Sequence, residues 1–156
     1  MKNLIHRAAS ILACAFLTLG IGAVGAQQIP VAAQQGDKVL SSAEVFPFDQ
    51  MAVRKTANGG ESRNVISGVL KTGEGVAVHE STLSPGSSPN PGHSIQHSEF
   101  IVVREGTLKF EHDGKNEQVG PGGVIYVAFG TMHKIVNIGT VPAKYVVIAI
   151  GGDTKK

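Results

Sequence analysis

Cysteine is all but missing: Cys14 is the single one in 156 residues, and it falls inside an N-terminal apolar stretch. That stretch reads as a removable leader. Lys2 and Arg7 give it a basic start, Ile11 to Val24 is apolar or small, and Val24-Gly25-Ala26 before Gln27 fits a leader-peptidase site. The run is shorter than the roughly 20 residues a spanning helix needs, so a secretory signal over residues 1–26 is expected rather than an anchor. Ile-Leu-Ala before Cys14 echoes a lipoprotein box only weakly, because too few apolar residues precede it. With the leader gone no sulfhydryl remains, which excludes thiol catalysis, disulfides and cysteine-ligated zinc.

Charge of one sign is also lacking. Removing Lys2 and Arg7 takes the 14 basic residues to twelve, against 12 acidic ones. No basic stripe exists and only Lys155 and Lys156 form a basic tail, so neither nucleic acid nor an anionic membrane surface is an expected partner. Helical period is absent outside the leader, as are internal repeats and any sign of a second domain. None of the glycines forms a phosphate-cradling loop, since no helix start follows.

What remains is a chain of short β-branched or aromatic segments broken by turn residues about every 8 to 12 positions, which predicts an all-β sandwich or barrel. Strands are expected over Val45–Lys55, Asn64–Lys71, Val76–Leu83, Phe100–Arg104, Thr107–His112, Gln118–Val119, Val124–Ala128, Lys134–Asn137 and Ala143–Ile150. Asp113-Gly114 between two of them favours a tight hairpin, because both residues tolerate positive φ. The stretch from Ser84 to Gly92 holds three prolines and is expected to be a stiff surface loop at a pocket mouth, proline having no amide for a sheet ladder. The organisation expected is thus a leader (1–26), a flexible polar segment (27–43), one barrel domain (44–151) and a tail (152–156).

Chemistry concentrates in His93, His97 and Glu99, and in His133. His93, Ile95, His97 and Glu99 share a parity and would face one side of an extended strand. Extension alone would part His93 and Glu99 by roughly 20 Å, so the chain must bend near Ile95 for both to reach one ion. Imidazoles and a carboxylate suit a divalent iron, manganese, nickel, copper or zinc ion with positions left open; without a carboxylate cage, calcium fits less well. Each residue also has a plainer reading. A histidine in a barrel is often only hydrogen-bonded, although Glu99 beside Phe100-Ile101-Val102-Val103 is expected to be buried and in need of a partner. His79, on a neighbouring strand, is read as a surface residue with a place in the pocket wall as the alternative, and His112 beside the hairpin is expected to be exposed; Asn137 is read as structural, pocket-lining or a turn residue.

These residues resemble the cupin superfamily, in particular its small type-2 members. His93 falls on the leading histidine of that family's first motif, Glu99 on its glutamate and Gly106 on its closing glycine. Gly122, Gly130, His133 and Asn137 follow the second motif at the family's spacing, with Ala128 in place of a proline. The family's second histidine falls on Ile95, which cannot ligate, and Ser87 stands where a glycine is usual, next to Gly86. His97 is the natural substitute. The resemblance implies a jelly-roll β-barrel holding one metal ion on His93, His97, Glu99 and His133, with Phe100, Ile101, Tyr126 and Met132 as candidate pocket walls. It implies dioxygenase, isomerase or decarboxylase chemistry on a small organic molecule and a homodimer formed through sheet edges, while the leader makes a periplasmic or secreted protein the expectation. A binding module that changes no bonds, with weak or no metal, stays open beside the enzyme.

Overall fold

Burial alternates along the almost wholly apolar strand Ala143–Ile150 at the centre of the molecule: Ala143, Tyr145, Val147 and Ala149 are buried, and the residues between them are half-buried. The structure is a computed structural model and describes residues 38–155; the leader expected over 1–26 and the polar stretch from 27 to 37 lie outside the described residues. Within them the strands are β1 (Val39–Leu40), β2 (Val53–Lys55), β3 (Glu61–Leu70), β4 (Gly75–Leu83), β5 (His93–Ser94), β6 (Ser98–Glu105), β7 (Leu108–His112), β8 (Lys115–Val119), β9 (Val124–Val127), β10 (Met132–Asn137) and β11 (Ala143–Ile150). No described helix is long and apolar enough to cross a membrane.

The strands form two sheets of an all-β jelly roll. The larger runs β1-β3-β4-β11-β6-β9 with β2 on β3, and the smaller runs β5-β10-β7-β8. Facing side chains such as Leu83, Ile101, Val103 and Val127 from the first sheet and Leu108 and Phe110 from the second make one core. Full burial of such a side chain contributes about 2 kcal/mol. Asn137 ties the sheets together while fully buried. Its Nδ2 donates to the carbonyls of Leu83 and Val141, each at 2.8 Å, and its Oδ1 accepts from the Gly139 amide at 2.9 Å. The structural reading of Asn137 is the one the fold supports.

Turn chemistry works as expected at the β7–β8 hairpin, where Asp113 (φ 46°) and Gly114 (φ 74°) both take positive φ. Gly106, at φ 78°, ends β6 where a Cβ would stand 2.7 Å from the Cα of Ala143. Three regions differ from expectation. Val45–Lys55 is mostly not strand: Phe48–Gln50 makes a 3-10 turn after Pro47, and only Val53–Lys55 pairs, with β3. Val39 and Leu40, in the segment read as a flexible lead-in, run parallel to Val69 and Leu70. The tail folds back as a 3-10 turn, Gly152–Lys155, with Gly152 (φ 52°) so close to Gln96 that a Cβ would overlap the Gln96 carbonyl.

Candidate functional site

The bend needed near Ile95 is a crossing between sheets. β5 carries His93 in the smaller sheet, the chain bends at Gln96 and His97, and β6 carries Glu99 in the larger one. Ile95 points into the core at 6% exposure, its carbonyl accepting from the Gly130 amide at 2.9 Å. His93 and Glu99 therefore meet across the interior instead of along one strand. His133 lies directly opposite His93 in the β5–β10 pair, with ring centroids 4.8 Å apart and planes tilted by 45°.

One cavity of about 90 Å³ takes in His93, His133 and Glu99, together with His79, Ser81 and Tyr145. Pro89 and Asn90 of the proline-rich loop also border it, and Ile101, Ile135 and Val147 supply apolar wall. The ring Nδ1 of His93 lies 3.0 Å from the Pro91 carbonyl, and that of His133 3.1 Å from the Thr131 carbonyl. A carbonyl oxygen can only accept, so in each ring Nδ1–H donates and Nε2 is the nitrogen left with a lone pair. That is how an imidazole is oriented for ligation.

His97 is placed differently. Its Nδ1 lies 2.6 Å from Asp153 Oδ1 and its Nε2 2.8 Å from Glu99 Oε1. Both partners are carboxylate oxygens, so both ring nitrogens are engaged. Burial works to lower the His97 pKa, but the hydrogen bonds and charges of Glu99 and Asp153 outweigh it and raise it above the usual 6.5. His97 thus stands next to Glu99, as its parity predicts, but from the bend before β6 it is held between two carboxylates and does not line the cavity.

His79 stands in the cavity wall that sequence parity assigned to His97. It pairs with Val147, which also pairs with Ile101, so it projects from β4 to the same side as Glu99, Ile101 and Tyr145. Burial lowers its pKa below 6.5; the Glu99 charge opposes this and Arg54 adds to it, so the ring is neutral at pH 7. Tyr145, from the next strand, has its hydroxyl pushed up to about 12, by burial first and by the Glu99 charge, against a hydrogen bond with Ser81. It is a neutral donor in the cavity. Among the described residues, no three or more His, Cys, Asp or Glu side chains are arranged as positioned to hold a metal ion.

Of the expected wall residues only Ile101 lines this cavity. Phe100 and Tyr126 have the opposite parity and lie against each other on the outer face, ring centroids 5.2 Å apart and 39% and 57% exposed. Met132, also of the outward parity, is exposed. His112 is less exposed than expected: its ring stacks on Phe110 at 4.4 Å, with Nδ1 3.1 Å from Asp113 Oδ2 and Nε2 2.6 Å from Glu117 Oε2. Those carboxylates raise its pKa, Glu117 most.

The sequence profile of the cupin domain matches residues 79–149. Among solved structures, an RmlC-like cupin from Shewanella frigidimarina superposes with a TM-score of 0.57 at 16% identity, over 71% of this chain and 94% of that one. A sugar phosphate isomerase of the cupin superfamily from Silicibacter pomeroyi gives 0.57 at 19% identity, over 68% and 74%. A predicted oxalate decarboxylase from Thermotoga maritima gives 0.55 at 20%, over 69% and 98%. No curated protein matches the sequence. Residues 79–149 therefore match a type-2 cupin domain, and the fold around them is the one these cupin structures share.

Proposed function

We propose that this cupin binds a small organic molecule between its sheets, together with one divalent transition metal ion for which His93, His133, Glu99 and His79 are the donors. The observation that carries the reading is the convergence of three imidazoles and a carboxylate, from four strands, on one cavity. The donor chemistry fits: in His93 and His133 the Nε2 lone pair is the one left open, and His79 is neutral. When bound, the ion supplies Lewis acidity toward substrate oxygens. Tyr145 and Ser81 offer hydroxyls to orient a polar ligand, and Ile101, Ile135 and Val147 keep water from its carbon skeleton. Cupin structures described as a sugar phosphate isomerase and as a predicted oxalate decarboxylase support an enzyme of isomerase, decarboxylase or dioxygenase type. The expected leader makes it a periplasmic or secreted protein, a reading tested by whether the mature mass begins at Gln27.

A second reading is a non-catalytic binder with weak or no metal. It is favoured by Ile95 in the core, where the family has a histidine, and by the absence of a preformed ligand set among the described residues. Elemental analysis of the purified protein separates the two. The metal reading expects about one transition-metal ion per chain, lost in His133→Ala. A wild type that retains no metal after reconstitution leaves the binder.

A further inference from the structure

The face of the larger sheet that carries Glu99 and His79 continues past the imidazole cavity onto β3 and β2. Register decides which side chains share it. Arg54 pairs with Ser62, Ser62 with Ser81 and Ser81 with Tyr145 in one cross-strand row, while Asn64, His79 and Val147 form the next. Cross-strand partners project to the same side of a sheet, so Arg54 and Ser62 stand on the cavity side. With Ala52, Asn64 and His79 they line a groove of about 460 Å³, and His79 belongs to the wall of this groove and of the smaller cavity.

Among the described residues, no carboxylate lines the groove. Its polar groups are a guanidinium, an amide, a hydroxyl and an imidazole. The opposite face of the same strands is built the other way. There Lys55 lies 2.5 Å from Glu61, Arg63 is 3.2 Å from Glu61 and sits over the Phe48 ring, and Arg104 is 2.7 Å from Glu80. Arg54 is paired with no carboxylate among the described residues. An uncommitted guanidinium presents a planar fork of donors matched to a carboxylate. Continuity with the apolar wall of Ile101 and Val147 favours an anion with a carbon body over an inorganic one.

We propose that this groove is an anion subsite in which Arg54, beside Ser62 and His79, holds the carboxylate of a small organic acid whose remaining part extends toward Glu99, His93 and His133. The direction of that extension rests on the function proposed above; capture of the carboxylate by Arg54 does not. NMR titration of the mature protein with lactate tests it, followed at the Arg54 Nε–H and the Ser62 and His79 amides, in protein as purified and after dialysis against a chelator. Saturable shifts are expected in both preparations, with Kd raised about tenfold or more in Arg54→Gln and unchanged in Arg104→Gln, whose side chain is paired on the outer face. Uncharged methyl lactate should leave the Arg54 signal in place. Equal lactate affinity in wild type and Arg54→Gln, or equal shifts from the methyl ester, overturns the subsite. Because the signals are read in chelated protein, failure of metal binding leaves this result standing, and loss of the Arg54 response with metal retained removes the subsite alone.

Discussion

His93 and His133 on one side, His97 and His112 on the other, are four imidazoles given opposite tasks by their second partners. The first pair donate Nδ1–H to backbone carbonyls two residues before them, at 3.0 and 3.1 Å, which leaves Nε2 open. The second pair each lie between two carboxylates, at 2.6 to 3.1 Å, so both nitrogens are occupied and their pKa values rise. Sequence spacing treats all four alike. Ligand capacity in this barrel is decided by what stands behind each ring, a neutral acceptor or a pair of anions.

The comparison breaks most severely at Asn137, which holds the end of the strand that carries His133. Asn137→Ala removes three hydrogen bonds from a fully buried amide and leaves the Leu83 and Val141 carbonyls without it; unfolding by denaturant should show a loss of about 3 kcal/mol. Asp153→Asn is expected to be milder, about 1 kcal/mol near pH 6, because it weakens a partly exposed charged bond to His97. Its pH dependence carries the sign. A His97 pKa raised in the fold contributes stability fully present below 6.5 and lost as pH rises through the folded value, so wild type and Asp153→Asn should converge in alkaline solution. A gap that widens with pH would contradict the carboxylate–imidazolium assignment. At the rim, Glu117→Gln should lower the His112 pKa, read by NMR titration, with no resolvable change in melting temperature.

Much of this was legible beforehand. The apolar run Ala143–Ile150 was placed to the residue, and Asp113-Gly114 announced its hairpin. The motif spacing brought His93, Glu99 and His133 to one cavity, and the need for a bend near Ile95 anticipated the crossing between sheets. The rest depends on contacts between segments distant in sequence. β4 places Ala77, His79 and Ser81 inward and Val76 and Val78 outward, so hydrophobicity hides which face His79 shares. Parity counting brought His97 next to Glu99 but could not show Asp153 on its other side, because a strand's period stops at its ends and His97 precedes β6. Asp153 reaches His97 only because Gly151 and Gly152, both at positive φ, turn the chain back against Gln96.

The central claim is that the cavity's third imidazole comes from β4 and not from the segment before β6. Metal content of the purified mature protein in His79→Ala and His97→Ala tests it directly. The account predicts that His79→Ala loses the ion and His97→Ala keeps about one per chain. Retention in His79→Ala with loss in His97→Ala would contradict it.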